Sequence, residues 1–418
     1  MHWLEDPRPQ IACQVADEEL GLIGYLVVDR TVGGRAGGGI RMKPDVTIDE
    51  VAHLARAMTL KFAFANVRLG GAKAGLVASP RLPQAERQAR LAAFGRILSP
   101  VLRSGLYIPG ADLGTSEEDI ATVRQAAGLP ADACLVDTGY YTARSVFMAL
   151  TQAATVLNLD LSQSIAAIEG FGKVGVNVAR LMDAAGVSII AVSTLEGAIY
   201  NPRGLNVHRL ITLKEQVGDE LVHHYPDAER LEKADLLTLP TDFLIPCAGP
   251  WTIHNENAAQ VQTKVIVPGA NIPLTSEAEE ILFSRGILYI PDFVANCGGG
   301  LSSSIAWFGF GDDDINRIFD VELGSKVKYL LTLAEQNGVS PSRVAEQIAW
   351  RNFQRMTAKW PDEQGGTRKR WVKFRRLGWS GVLQRLATEL YRRHLPLSEV
   401  AKPLVRSYFR RSRLQANE

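Results

Sequence analysis

Residues 165–175 read Ile-Ala-Ala-Ile-Glu-Gly-Phe-Gly-Lys-Val-Gly, and the fold is decided there. A short apolar run, Ile165 to Ile168, enters a turn with glycine at 170, 172 and 175. Beyond it Val178, Leu181 and Met182 fall at helical spacing, and a second apolar run follows from Val187 to Val192. Strand, glycine turn, helix, strand is the order of a mononucleotide-binding unit. In such a unit the first glycine permits the tight turn, the second lets a pyrophosphate approach the backbone, and the third lets helix pack on sheet. The phosphates then rest on the helix N-terminus. A glycine triplet alone is a weak signal, since such turns are common; the flanking elements give it weight. Gly170, Gly172, Lys173, Val174 and Gly175 are therefore candidate cofactor contacts.

Working outward, a helix is expected from Thr142 to about Leu157. Further apolar runs at Phe243 to Ile245, Val265 to Val267 and Ile287 to Ile290 alternate with helical stretches such as Ser276 to Ser284. Residues 142–340 thus read as a Rossmann-type, doubly wound parallel α/β sheet that binds a dinucleotide. At the tip of its second strand an NAD enzyme usually offers an acid to the ribose. Here the chain reads Ser193-Thr194-Leu195-Glu196. Glu196 could reach the ribose, or the hydroxyls of Ser193 and Thr194 could tolerate a 2′-phosphate, so NAD and NADP both stay open.

In the first half, Val51, Leu54, Met58 and Phe62 recur at helical spacing, with Asp49 and Glu50 suited to the helix start and an end near Ala65. The paired glycines of Val67 to Gly75 predict a chain bent tightly and closely approached by something else, with Lys73 inside the bend. Thr115 to Glu118 reads as a capping box opening a helix to about Ala127, which places Asp112 just before a helix N-terminus. A lysine held among glycines and apolar residues can lose its proton through desolvation or a neighbouring cation, here Lys61, and then activate a water. From spacing alone, Lys61, Lys73 and Asp112 read as readily as solvated surface groups.

A chain of 418 residues suggests two domains, and 46% apolar with 22% charged residues is a globular composition. Cys13, Cys134, Cys247 and Cys297 are far apart without metal-ligand spacing, so neither a disulfide framework nor a metal site is expected, and a cytoplasmic setting fits. The N-terminus has no secretory pattern, and the longest uncharged stretch, 293–310, is rich in Gly, Ser and Asn, so no membrane partner is expected. The net charge of +1 hides a basic end, since residues 359–418 carry 15 Lys/Arg against 5 Asp/Glu. Its basic run at 368–376 resembles a nucleic-acid patch, but Leu383, Leu386 and Leu390 mark an amphipathic tail helix. A solvated basic face or subunit contact is preferred over nucleic-acid binding.

Four motifs in order, Gly38-Gly39-Ile40-Arg41-Met42, Met58-Thr59-Leu60-Lys61, Leu69-Gly70-Gly71-Ala72-Lys73 and Pro109-Gly110-Ala111-Asp112-Leu113-Gly114-Thr115, resemble the glutamate/leucine/phenylalanine/valine dehydrogenase family. The likeness continues through the glycine turn, Ile199 to Pro202, Pro246-Cys247-Ala248, Gly269-Ala270-Asn271 and Ala295 to Gly299, covering about residues 20–310. It implies an N-terminal substrate-binding and assembly domain (1–141), a cofactor domain (142–340) across a cleft, and C-terminal helices (341–418) packing back on the first domain. It also implies reversible oxidative deamination of an L-amino acid to a 2-oxo acid with NAD or NADP, in a homo-oligomer. Lys61 would pair with the substrate α-carboxylate, Lys73 activate the water and Asp112 exchange a proton with the amino group. Thr142, Thr194, Ala248, Asn271 and Asn296 would join the cofactor contacts.

Departures from the family pattern are as informative. Gly37 stands where glutamate-specific members place a lysine and other members a leucine. Gly38, Gly110 and Gly300 complete the small positions around the side-chain pocket, while Ser303 stands where glutamate-specific members bind the distal carboxylate. A wide pocket without that lysine implies a bulky apolar or aromatic substrate, because a buried carboxylate without a partner is costly. Glutamate remains the alternative, with Arg35 or Lys43 as substitute cation. Thr142-Ala143-Arg144-Ser145 replaces the usual Thr-Gly-Arg-Gly, and crowding there would make the chain a catalytically weak or regulatory member.

Overall fold

The computed structural model describes residues 8–131, 136–306 and 311–361, so the basic run at 368–376 lies outside the described residues. Two compact units emerge. The first holds the described residues up to 131 together with 304–306, 311 and 348–361, and the second holds 136–303 with 312–347.

The first unit is built on a five-stranded sheet of β1 (Ile11–Asp17), β2 (Leu22–Val28), β3 (Ala36–Lys43), β4 (Gly70–Val77) and β5 (Tyr107–Ala111) in the order β1-β2-β4-β3-β5. The pairings of β1 with β2 and β2 with β4 are antiparallel, and β3 runs parallel to both β4 and β5. Along β4 side chains alternate between faces. Ala72, Ala74 and Leu76 join a core with Leu91 and Phe94 of α2 (Gln84–Ile97) and with Ile120 and Val123 of α3 (Glu117–Ala126). The opposite face meets α1 (Ile48–Ala65), where Val51 and Ala55 pack with Val27 and Val46. Thr47 caps α1 by accepting from the Glu50 amide, and Asn66 ends it in the left-handed region at φ 62°.

Two local expectations are corrected. Residues 70–77 form a strand, not a tight bend; their glycines serve close approach. A Cβ on Gly71 would lie 2.2 Å from the Thr59 amide nitrogen and 2.3 Å from the Ala55 carbonyl oxygen, both backbone atoms of α1. The cap of α3 is Ser116 boxed with Asp119, one residue later than the sequence pattern suggests, because the Thr115 hydroxyl instead donates to the Ile40 carbonyl at 2.7 Å.

In the second unit the sheet order is β12-β11-β10-β6-β7-β8-β9, with β6 (Ile165–Glu169), β7 (Ser188–Thr194), β8 (Gly197–Tyr200), β9 (Glu229–Leu231), β10 (Thr241–Pro246), β11 (Thr263–Ile266) and β12 (Leu288–Tyr289). From β12 to β7 every pairing is parallel; the β7-β8-β9 edge is antiparallel. The chain leaves β6 toward β7 on one side and returns as β10 on the other. The strand order therefore reverses at β6, where open α/β sheets bind ligands at the carboxyl ends of their strands. The helix preceding β6 is α4 (Thr138–Leu157), which starts four residues earlier than expected because Asp137 caps it by accepting from the Gly139 and Tyr140 amides. It is followed by α5 (Lys173–Ala184), α6 (Ser276–Ser284) and α7 (Gly298–Ala306). The last described helix, α8 (Pro341–Lys359), brings Asn352 to the Ala63 carbonyl at 3.1 Å, and the Arg68 guanidinium lies 4.1 Å over the Trp360 ring.

Gly71→Ala is expected to cost about 2 to 3 kcal/mol, because the helix backbone cannot yield to the added methyl. Gly37→Ala, whose Cβ would meet Phe62 and Leu69 at an ordinary 3.5 and 3.6 Å, is its near-neutral control. Urea midpoints of the two variants check this; equal midpoints would refute the close-approach argument.

Candidate functional site

In the first unit, strand alternation puts Gly71, Lys73 and Gly75 of β4 and Gly37, Gly39, Arg41 and Lys43 of β3 on the α1 face. Lys73 is 2% exposed, and its ammonium lies 2.8 Å from Asp112 Oδ1. Asp112 Oδ2 accepts from Arg41 Nε at 2.9 Å, and Arg41 Nη1 lies 2.7 Å from Glu50 Oε1 on α1. Lys43 lies 3.4 Å from both Asp45 and Glu50. The loop bearing Asp112 is pinned by its amide donating to the Thr115 hydroxyl at 3.0 Å. Lys61, 7% exposed, comes from α1 itself.

Burial pulls the Lys73 ammonium below its ordinary value, and the positive charge of Arg41 lowers it further, while Asp112 and Glu50 pull the other way. For Asp112 burial pushes up, but the charges of Lys73 and Arg41 outweigh it and hold the carboxyl well below the usual carboxylate range. Arg41 is the neighbouring cation that composition and spacing did not single out. Its signal was available: a charged side chain between Ile40 and Met42, both buried, on an interior strand.

The small pocket positions differ from one another. A Cβ on Gly110 would meet nothing within 4 Å, whereas one on Gly38 would sit 1.7 Å from the Ala72 carbonyl oxygen. Gly38 is thus demanded by the strand backbone, and Gly110 faces open space.

In the second unit the three glycines divide their work as the sequence suggests. Gly170 has φ +91°, and its Cβ would strike the Ala248 amide nitrogen at 2.6 Å; Gly175 lies under the Gly170 carbonyl oxygen, 2.1 Å from where its Cβ would be. The Cβ direction of Gly172 is open, and Gly172 begins α5 without a side-chain cap. That combination offers backbone amides and space to a phosphate. Val174 packs toward Gly269, 2.8 Å from its would-be Cβ. Asn296 Nδ2 donates to the Ala270 carbonyl at 2.7 Å and to Asn271 Oδ1 at 3.2 Å. Its own Oδ1 is buried and meets no donor of the chain. An orphaned acceptor of this kind fits an amide donor such as the carboxamide of a nicotinamide. These residues fit a dinucleotide.

Other expected contacts are engaged locally. Lys173 lies 3.0 Å from Asp137, and the Thr194 hydroxyl donates to the Asp219 carbonyl at 2.8 Å. The Ser193 hydroxyl accepts from the Gly170 amide at 3.0 Å. On α7, Ser303, three residues beyond Gly300, donates to the Gly299 carbonyl at 3.1 Å.

The departures at 143 and 145 are absorbed. Ala143 is fully buried, and the Ser145 hydroxyl accepts from the Gly298 amide at 2.9 Å while donating to the Thr142 carbonyl at 2.9 Å. Thr142 in turn donates to the Thr138 carbonyl at 2.7 Å. Ser145 therefore ties α4 to the first amide of α7.

Residues 136–349 match the Glutamate/Leucine/Phenylalanine/Valine dehydrogenase family, and residues 7–127 match the Glu/Leu/Phe/Val dehydrogenase dimerisation domain. The chain belongs to this family. It is 36% identical over 300 residues to glutamate dehydrogenase of Thermotoga maritima, covering 68% of this chain and 72% of that one. It is 34% identical over 309 residues to NAD-specific glutamate dehydrogenase A of Halobacterium salinarum, covering 70% and 69%. Among solved structures, the Leu-bound hetero-hexameric glutamate dehydrogenase of Thermus thermophilus superposes with a TM-score of 0.74 at 25% identity, covering 84% of this chain and 89% of that one. The cofactor is accordingly NAD or NADP. Among the described residues, no helix is long and apolar enough to cross a membrane.

Removing the Ser145 hydroxyl by Ser145→Ala leaves the buried Gly298 amide unpaired, an expected loss of about 1 to 3 kcal/mol in denaturant unfolding. An unchanged midpoint would show the amide to be satisfied otherwise. A buried acid sits beside the glycine turn: burial pushes Glu169 up to about 7, against lowering by the Thr252 hydroxyl bond at 3.0 Å and by Lys233. An acid raised on folding stabilises fully below its unfolded value near 4.5 and loses that contribution as pH rises through 7. Glu169→Gln should therefore gain about 3 kcal/mol on the wild type between pH 5 and pH 9. Parallel stability curves for the two proteins across that range would refute it.

Proposed function

We propose that this protein is an NAD(P)-dependent L-amino-acid dehydrogenase whose substrate is bulky and apolar or aromatic, converted to its 2-oxo acid and ammonium. The observation that carries the substrate class is Gly37. On the α1 face it has the Phe62 and Leu69 side chains before it and no side chain of its own to offer a cation. Neither proposed substitute relieves this. Lys43 is already within 3.4 Å of Glu50 and Asp45, and Arg35 is exposed. A distal carboxylate buried there would lack its main partner. Glutamate is the second reading, favoured by the names of the relatives and by the Ser303 hydroxyl on α7.

In this proposal Lys61 pairs its ammonium with the substrate α-carboxylate. Bound at the glycine turn and at Asn296, the dinucleotide supplies the hydride acceptor. Lys73, buried and inclined to lose its proton, takes one from the water that attacks the imine carbon. Asp112 takes a proton from the substrate ammonium at the outset and returns it to the amine as it leaves. The match of the first unit to a dimerisation domain supports a homo-oligomer.

The test follows absorbance at 340 nm with a panel of L-amino acids, NAD and NADP. Lys73→Ala is expected to lower kcat by about 10²-fold or more. It leaves Asp112 paired with Arg41, so the protein should fold. Glutamate turned over as well as phenylalanine or tryptophan would sink the substrate class. Silence across the panel, and with 2-oxo acids plus ammonium, would sink the dehydrogenase and point to a regulatory member.

A further inference from the structure

We propose that Arg41, held by Glu50, is a positioning residue for Asp112: it occupies Oδ2, so that Oδ1, shared with Lys73, is the oxygen that exchanges the proton. The inference rests on the amino-acid dehydrogenase reading and deepens it.

The geometry is asymmetric. Arg41 is 6% exposed and bridges two carboxylates from different elements, Asp112 after β5 and Glu50 on α1. Its guanidinium keeps its charge at every working pH, so it never returns a proton to Oδ2. The planar fork and its second carboxylate fix the direction from which it approaches. Lys73 meets Oδ1 at 2.8 Å and can change protonation state. In the deamination direction an N–H bond of the substrate ammonium breaks as Oδ1–H forms, and later that Oδ1–H bond breaks as an N–H bond forms on the departing amine, which restores the carboxylate between Lys73 and Arg41.

The charged groups around this pair come from every neighbouring element. They are Lys61 and Glu50 on α1, Arg41 and Lys43 on β3, Asp45 after it, and Lys73 on β4. The Tyr107 hydroxyl on β5 donates to the Gly38 carbonyl at 3.0 Å and stays protonated, being pushed well above its ordinary value by burial and by Asp112. Taking away the Arg41 charge leaves Lys73 facing Asp112 and Glu50 with less opposition, so Lys73 would hold its proton to higher pH. Neutralising Glu50 acts in the opposite direction.

The experiment compares wild type, Arg41→Gln, Arg41→Lys and Glu50→Gln in the pH dependence of kcat/KM for the best substrate of the panel. For Arg41→Gln the ascending limb is expected to move up by about one pH unit, kcat to fall by about tenfold or more, and KM to stay within about threefold. Arg41→Lys should return the limb toward wild type while recovering kcat only in part. A raised KM with unchanged kcat would make Arg41 a substrate cation and overturn the proposal, as would an unmoved limb. Should Arg41→Gln fail to fold, Glu50→Gln decides: a limb moved to lower pH with reduced kcat supports the proposal, and wild-type behaviour overturns it. Should the wild type turn over nothing, the dehydrogenase reading fails by itself. Competitive acetylation of Lys73 across pH, read by mass spectrometry, then tests the same shifts without turnover.

Discussion

The first unit depends on how closely one helix can lie on one sheet. Helix α1 approaches β4 until its backbone stands where a Cβ of Gly71 would be, and Val51 and Val46 crowd the place of a Cβ on Gly75. Between these two glycines, on the same face, sits Lys73. The contact keeps the Lys73 side chain in a layer where it is 2% exposed. A lysine in that layer cannot be solvated by bulk water, and its ionised form is tolerated only because Asp112 reaches it at 2.8 Å.

From that constraint the charge pattern follows. Two cations and two carboxylates alternate in space as Lys73, Asp112, Arg41 and Glu50, and each interior member touches both neighbours. A chain of this kind is high-stakes: satisfied, it orders its members, and broken at one point it leaves a charge stranded in low dielectric. Its end groups differ. Glu50 is tied to α1 near the cap and to Lys43 at 3.4 Å, which is partly exposed, so that end is anchored toward solvent. Lys73 is the dry end. The member proposed to activate water is thus the least exposed of the four, an arrangement that suits acid–base work better than stability.

What was legible in the sequence was what the backbone decides locally. The glycine turn after β6 follows from three small residues between an apolar run and a helical pattern, and each glycine does there what its spacing implies. The helix from Thr47 was legible because period and cap agree. The misreadings share a cause: glycine and hydroxyl residues have two uses each. Gly70 and Gly71 suggest a bend, but neither has a positive φ; Gly70 makes room for the Arg30 backbone and Gly71 for helix α1, both distant in the sequence. Thr115 was read as a cap, but its hydroxyl is spent on Ile40, 75 residues away, and Ser116 takes the cap. The role of Arg41 is not legible in its motif, since its partner Asp112 is 71 residues distant and pairing at that range leaves no periodic trace.

The same distinction separates harmless departures from consequential ones. Ala143 and Ser145 replace glycines in the family pattern, yet both are accommodated, and the serine hydroxyl accepts from an amide that a glycine would leave to another acceptor or to water. The cofactor cradle therefore keeps its backbone geometry despite the altered sequence. Gly37 departs in the other sense, because it deletes a side chain rather than adding one. The side chains nearest its would-be Cβ, Phe62 and Leu69, are apolar. An added atom in a packed interior can be absorbed by a new hydrogen bond, but a missing cation can be replaced only by another charge, and desolvating an unpaired carboxylate costs more than a methyl-sized adjustment of packing. On the proposed reading, then, the added atoms are absorbed where the dinucleotide would bind, and the deleted one bears on which side chain the substrate carries.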